Sequence, residues 1–144
     1  GPDDGYQAET ERFIQENQLQ NKMVMVGMLT GETKKAALAD ATIFVLPSYS
    51  EGFSIAALEA MTAGVPALVS DRIGFDGTVA QYQAAHEVPL TIEGVHEGLK
   101  KLLQQPQYAD TLRQNARKMV ETLYDIEIVA TNLAKEFEKI ARKK

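Results

Sequence analysis

Cysteine and tryptophan are absent from the 144 residues, and histidine occurs only twice. A chain without cysteine forms neither disulfides nor thiolate zinc sites, which is typical of a protein from a reducing compartment. No apolar run approaches the roughly 20 residues with which a helix crosses a bilayer. The net charge of −5 gives no reason to expect nucleic acid as a partner, because nucleic-acid-binding proteins usually carry a basic patch.

The rest of the composition is typical of a globular domain, with 44% hydrophobic and 24% charged residues. A length of 144 residues is enough for one domain with a sizeable core. The chain does not begin with methionine. We therefore expect it to be a piece of a longer protein.

Short apolar runs alternate with amphipathic or alanine-rich segments along most of the chain. Continuous apolar runs are typical of strands that are buried on both faces of a parallel sheet. We therefore predict an α/β fold in which a Rossmann-like parallel sheet carries helices on both faces. The predicted strands are 23–26, 43–46, 67–70 and 88–91, and the predicted helices are 6–18, 32–41, 54–63, 79–85, 94–104, 107–124 and 126–142.

Three loops leave the carboxyl ends of predicted strands, at residues 27–31, 47–53 and 70–77. In open parallel sheets these ends lie along one edge, and ligands bind in the crevice beyond them. The helix predicted directly after the second loop ends at a strong stop signal, Gly64 followed by Pro66. We expect the chemistry of this protein at the start of that helix.

Two glutamates mark this region: Glu51 lies in the loop, and Glu59 lies eight positions later, inside the predicted helix. A carboxylate can accept hydrogen bonds from two neighbouring hydroxyls, such as those of a ribose. A helix start offers N–H groups and the positive end of the helix dipole, which favour phosphate. The combination indicates a nucleotide-sugar site. On spacing alone, however, an exposed Glu59 without a function is an equally good interpretation.

Gly52 would leave room for a ligand to approach the backbone at the helix start. Ser50 or Ser54 could instead cap this helix without any ligand, so both interpretations stay open. In loop 70–77, Arg72 is the best candidate for a cation that faces a phosphate. The two histidines have no carboxylates at ligand spacing, so we expect no metal site.

The glycine-containing segment 27–34 is not a P-loop, because its second glycine comes one residue early and no Lys-Ser/Thr pair follows it. We predict a strand-to-helix turn whose backbone could hold a nucleobase. Lys34 and Lys35 are typical of a solvated helix face.

The residues Glu51-Gly52-Phe53, followed by Glu59-Ala60-Met61 and Gly64-Val65-Pro66, resemble a motif of the group 1 family of retaining, nucleotide-sugar-dependent glycosyltransferases. These enzymes have the two-domain GT-B architecture. The resemblance extends more loosely over nearly the whole chain. It implies that residues 1–144 are a fragment of the C-terminal, donor-binding domain, which ends in helices from about residue 107.

The resemblance also implies a function: transfer of a hexose from a nucleotide-diphosphate sugar to an acceptor, with retention and without a metal cofactor, in glycan or polysaccharide biosynthesis. Glu51 would be the catalytic residue, close to the donor sugar and its leaving phosphate, and Glu59 would hold the ribose hydroxyls. The other donor-binding residues would be Gly52, Phe53, Ser54 and Ile55 at the helix start, and Gly27, Met28 and Leu29 beside the nucleobase.

The partners implied are the nucleotide-sugar donor, as co-substrate, and an acceptor glycan, lipid or small molecule. The acceptor would bind to an N-terminal domain that we expect to be missing, together with the first strand of this domain and its basic residues. We therefore expect the fragment itself to be inactive. The implied location is cytoplasmic, with peripheral membrane contact through the parent protein as an alternative.

Family members often carry a glycine pair and a glutamate after the third predicted strand, where this chain has Gly74-Phe75 and Thr78. Two other classes of function compete with a transferase. A glycoside hydrolase would use Glu51 and Glu59 as acid and nucleophile, but the parallel sheet and the phosphate-ready helix argue against it. A non-catalytic, doubly wound nucleotide-binding or scaffold module would have no catalytic use for either glutamate.

Overall fold

Residues 5–142 are described by the computed structural model, in which the chain divides into two units between Ala37 and Leu38. The first unit contains α1 (Gln7–Glu16), whose buried residue is Ile14, and most of α2 (Gly31–Asp40). Both helices were predicted within two residues of their observed bounds. The alanines of α2 are exposed.

The predicted strand over 23–26 is wrong. These four residues are in no strand, and their side chains are between 43% and 77% exposed. An apolar run forms a strand only when a neighbouring strand accepts and donates its backbone hydrogen bonds. The sequence pattern alone does not supply that neighbour.

The second unit is built on a three-stranded sheet of β1 (Phe44–Leu46), β2 (Ala67–Ser70) and β3 (His86–Val88). The strands lie in the order β1-β2-β3, and both pairs are parallel. The central strand β2 is buried along its whole length. Strand β3 begins two residues before the start predicted for it, at residue 88.

Side-chain caps mark the starts of three helices in this unit. The side chains of Ser54, Thr91 and Asp125 each accept a hydrogen bond from the first turn of the helix that follows. None of the helices within residues 5–142 combines the length with the hydropathy that a bilayer crossing requires. The helices are α3 (Ile55–Thr62), α4 (Thr78–Tyr82), α5 (Ile92–Gln104), α6 (Pro106–Leu123) and α7 (Ile126–Ala141).

Two hydrophobic clusters cover the two faces of the sheet. Val69 belongs to a cluster with Met61 of α3 and Met119 of α6, whereas Leu68 belongs to a second cluster with Leu102 of α5. Neighbouring residues of a strand point to opposite faces, so both faces are covered. The predicted α/β class, with a parallel sheet between helices, is confirmed.

Candidate functional site

Glu51 lies outside α3, as predicted, in the loop that follows β1. It forms an isolated parallel bridge with Ile73, in the loop that follows β2. The backbone N–H of Gly74 donates to the carbonyl oxygen of Glu51 over 2.6 Å. The two loops at the carboxyl edge of the sheet are therefore hydrogen-bonded to each other, and the half-buried Glu51 is at their junction.

The start of α3 is capped by its own sequence. The Ser54 side chain is only 3% exposed, and its Oγ accepts a hydrogen bond of 3.3 Å from the N–H of Ala57. Of the two candidate caps, Ser54 is therefore the cap, whereas the backbone carbonyl of Ser50 accepts from the Ser48 hydroxyl. The cap uses one N–H of the first turn, and the preceding N–H groups of a helix have no partner within it.

Glu59 lies in the second turn of α3 and is half-buried, between the buried Ala60 and the half-buried Leu58. A glutamate with no structural or functional role is normally a solvated helix residue. The partial burial of Glu59 therefore argues against the interpretation of an exposed residue without a function.

Three aromatic rings meet beside the helix start. The ring of Phe53 lies 4.8 Å from that of Phe75 and 5.4 Å from that of Tyr124, at interplanar angles of 55° and 59°. Phe75 is buried, and Tyr124 ends α6. These tilted contacts fix Phe53, directly after Gly52, against both the loop after β2 and the end of α6.

The space beside Gly52 is open: a Cβ at this position would meet no atom within 4 Å apart from its neighbours in the chain. The neighbouring Ile55 is 59% exposed although it is apolar. The surface at the start of α3 therefore leaves room for a ligand to reach the backbone.

Gly27, Met28 and Leu29 belong to the first unit, where Gly27 has a φ of +65° and Met28 is 62% exposed. Their place beside a nucleobase stays a prediction. In the same unit, Lys35 forms an exposed ion pair of 2.8 Å with Glu32, which agrees with a solvated helix face.

Arg72 is exposed, and its Nε lies 4.0 Å from the carboxylate of Asp71. It is the one cationic residue in the three loops that were expected to form the crevice. Within residues 5–142, no three His, Asp or Glu side chains are grouped as they would be around a metal ion.

A cavity of about 590 Å³ borders the loop that contains Glu51. Its lining is mostly apolar and includes Tyr49, Ile92 and Leu99. Such a lining does not suit a diphosphate, which needs N–H groups or cations. The candidate phosphate site is therefore the start of α3 and not this cavity.

Two ionisable groups with shifted pKa values lie on β3. Burial, and secondarily the charge of Lys101, lowers the pKa of His86, whose Nδ1 is 2.9 Å from the hydroxyl of Tyr108. Burial, and secondarily the charge of Asp71, raises the pKa of Glu87. These shifts belong to the edge strand and not to the loop that carries Glu51.

The chain matches the family model of the glycosyl transferases group 1 over residues 1–119. It belongs to this family. Among curated proteins, it is 32% identical over 124 residues to an uncharacterised glycosyltransferase of Methanocaldococcus jannaschii, covering 82% of this chain and 30% of that protein. It is 30% identical over 140 residues to the MMP alpha-(1->4)-mannosyltransferase of Mycolicibacterium hassiacum, covering 92% of this chain and 33% of that enzyme.

Among solved structures, the sucrose-phosphate synthase of Thermosynechococcus elongatus superimposes with a TM-score of 0.82 at 27% identity, covering 95% of this chain and 35% of that chain. The C-terminal domain of a group 1 glycosyltransferase of Francisella tularensis has the same fold, with a TM-score of 0.72 at 21% identity, over 84% of this chain and 63% of that one. The chain thus spans about a third of the length of the curated relatives that it matches. The resemblance to group 1 glycosyltransferases with the GT-B fold is confirmed.

Sequence reasoning missed the contacts that surround Glu51. Neither the hydrogen bond from Gly74 nor the packing of Tyr124 on Phe53 has a local pattern, because each joins residues far apart in the chain. The signal that was available is the pair Gly74-Phe75 in a crevice loop, because a glycine after a strand often marks a close approach of two backbones.

Proposed function

We propose that this chain is the donor-binding part of a retaining glycosyltransferase that uses a nucleotide-diphosphate hexose. The observation that carries the proposal is the placement of two half-buried glutamates, Glu51 before the start of α3 and Glu59 in its second turn, in a chain of the group 1 family. The N–H groups at a helix start bind phosphate. Carboxylates on either side of it would accept hydrogen bonds from hydroxyls at the two ends of such a donor, the sugar and the ribose.

In this proposal Glu59 accepts hydrogen bonds from the ribose hydroxyls, and the backbone N–H groups of Gly52, Phe53 and Ser54 meet the diphosphate and the donor hydroxyls. The exposed Ile55 lines the mouth of the site.

The reaction would break the bond between the sugar and the diphosphate, which leaves with the electron pair. The acceptor oxygen would bond to the same face of the sugar, and its proton would pass to the departing diphosphate. Its main requirement is stabilisation of the negative charge that develops on the departing diphosphate, which the N–H groups and the dipole of α3 supply. Glu51 would orient the sugar beside its leaving phosphate. No step requires a metal ion.

A hexose as the transferred group is supported by the names of two relatives, a mannosyltransferase and the 2-deoxystreptamine N-acetyl-D-glucosaminyltransferase of Niallia circulans. The acceptor would bind to a part of a longer protein. We therefore propose that the 144 residues bind the donor weakly and catalyse no transfer by themselves.

The test is isothermal titration of the chain with UDP, GDP and ADP and with the glucose and mannose esters of each. We expect saturable binding of one diphosphate, with a dissociation constant of about 0.1–1 mM, and a rise in melting temperature at saturating ligand. A longer protein that includes an N-terminal half should release the same diphosphate when an acceptor is added. Binding of none of the three by the chain, together with no release by the longer protein, would contradict the proposal.

The same titration separates the two competing classes. A glycoside hydrolase would be indifferent to nucleotides but would be stabilised by an oligosaccharide. A scaffold module would show no change in melting temperature with either.

A further inference from the structure

We propose that Gly74 is a positioning residue, whose lack of a side chain allows the loop after β2 to hold Glu51 and Gly52 in place for donor binding. The inference deepens the proposed function and rests on it. It concerns the pair Gly74-Phe75 in the loop that follows β2. The contacts that carry it lie wholly in the second unit of the chain.

The first contact is the backbone hydrogen bond of 2.6 Å from the N–H of Gly74 to the carbonyl oxygen of Glu51. The neighbouring residue Ile73 forms the parallel bridge with Glu51. The backbone of Glu51 is thus bonded to the adjacent loop as if the sheet continued for one more residue. Its carboxylate extends from a fixed backbone and not from a free loop.

Steric crowding explains why residue 74 must be glycine. A Cβ at this position would lie 2.0 Å from the carbonyl oxygen of Gly52 and 2.6 Å from that of Glu51. Both neighbours are backbone atoms, so a side-chain rotation cannot relieve the overlap. The φ of Gly74 is not positive, unlike that of Gly77 at +75°. Glycine is therefore required at 74 by proximity and not by backbone conformation.

A second contact holds the beginning of the loop that carries Glu51. The fully buried Ser70, the last residue of β2, donates from its Oγ to the carbonyl oxygen of Ser48 over 2.6 Å. Ser48 is thus hydrogen-bonded to the end of β2, and Glu51 to the loop that follows it. Phe75 extends this contact by packing on Phe53.

The consequence for binding is direct. If an alanine at 74 pushes away the carbonyl groups of Glu51 and Gly52, the groups that are proposed to contact the donor move with them. Binding and catalytic groups must be held within about 0.5 Å of their productive positions. A small displacement of this loop should therefore weaken donor binding even when the fold is retained.

The experiment compares Gly74→Ala with Gly98→Ala in the 144-residue chain. A Cβ at Gly98 would lie 2.7 Å from Leu68 Cδ1 and from Val88 Cγ1, in the cluster on the other face of the sheet. It thus creates an overlap away from Glu51, although a smaller one that involves side-chain atoms. Each variant is titrated at low temperature with UDP, GDP and ADP and with the glucose and mannose esters of each, after circular dichroism has shown that it is folded.

We expect Gly74→Ala to weaken binding of the preferred diphosphate by at least about tenfold, and Gly98→Ala to change it by no more than about twofold. In NMR spectra of the backbone amides, Gly74→Ala should shift the signals of residues 50–54 selectively. In a Glu51→Ala background, the effect of Gly74→Ala on binding of the preferred sugar ester should be smaller than in the wild type, because both substitutions act on the group that orients the sugar. A merely structural role would leave the two effects additive.

If Gly74→Ala does not fold, Ser70→Ala replaces it, since that change removes the hydrogen bond to Ser48 without any overlap. Unchanged binding in the folded variant, in a chain whose wild type binds a diphosphate, overturns the inference and leaves the proposed function standing. A wild type that binds none of the three diphosphates instead overturns the proposed donor site. The NMR shifts of the backbone amides of residues 50–54 then decide whether Gly74 holds the loop that carries Glu51 in place: unshifted signals in Gly74→Ala would show that it does not.

Discussion

The hydroxyl groups of Tyr124 and Thr78 are joined by a hydrogen bond of 3.0 Å. Thr78 Oγ1 also donates to the carbonyl oxygen of Phe75 over 2.6 Å, so its single hydrogen is used there. Tyr124 is therefore the donor to Thr78. Thr78 thus connects the start of α4 to the end of α6.

Tyr124→Phe keeps the ring contacts and removes only this hydrogen bond. We expect the free energy of unfolding to fall by about 1 kcal/mol, the usual net value of such a bond. Tyr124→Leu should cost more, since aromatic pairs contribute about 0.5–1.5 kcal/mol beyond area burial. Urea unfolding measures both. Tyr6→Phe, at an exposed position, is the control and should change nothing.

Ser54→Ala removes the cap of α3 and leaves the backbone N–H of residue 54 in place. We expect a loss of about 1 kcal/mol in the free energy of unfolding. Binding of a nucleoside diphosphate should change by less than about twofold, because the proposal assigns the backbone and not the hydroxyl to the donor. Chemical denaturation and titration measure the two quantities separately. A large loss of binding at unchanged stability would mean that the hydroxyl itself contacts the ligand.

Glu59→Gln keeps the size of the side chain and removes its charge. Hydrogen bonds to a charged group contribute about 1.5–3 kcal/mol, so binding of the preferred diphosphate should weaken by about ten- to a hundredfold. The matched control is Glu121→Gln, on the exposed surface of α6, which should bind as the wild type does. Equal affinities of the two variants, measured by titration, would remove Glu59 from the site.

The stability of the chain should fall as the pH is lowered through about 6.5. The pKa of His86 lies below its ordinary value of 6.5 in the folded state, mainly because of burial. The unfolded chain therefore binds the proton more readily in this window, and protonation favours unfolding.

In melting experiments between pH 7.5 and 5.5, His86→Gln should lose less stability than the wild type. Glu87 acts in the opposite direction, because its raised pKa makes the folded state bind a proton more readily above 4.5. A wild-type melting temperature that rises on acidification through pH 6 would contradict the assignment to His86.

Much of the fold followed from local chemistry. The end of α3 was predicted because Gly64, with a φ of +77°, allows its N–H to bond back to Met61, and because Pro66 stops any continuation. Strand β2 was predicted residue for residue, since its apolar run is buried on both faces. The start of β3 was predicted two residues too late, at residue 88, because the strand begins with the polar residues His86 and Glu87. Polar residues are tolerated on an edge strand.

What could not be predicted depends on contacts between distant residues. The segment 23–26 has the composition of a strand, but a strand forms only beside a partner. At the candidate site, the motif identified Glu51 and Glu59 as candidates, whereas the support from Gly74 depends on how two loops approach each other. No spacing of residues in the sequence predicts how closely these two loops approach each other.

The division of β2 between two packing layers provides separate reporters inside one strand. Leu68 and Val69 are adjacent in sequence, yet Val69 shares its cluster with Met61 of α3 and with Phe75, whereas Leu68 does not. Selective methyl labelling would therefore record each layer independently. A ligand seated at the start of α3 should move the methyl resonances of Val69 and leave those of Leu68 almost stationary, a spectroscopic fingerprint that needs no mutation.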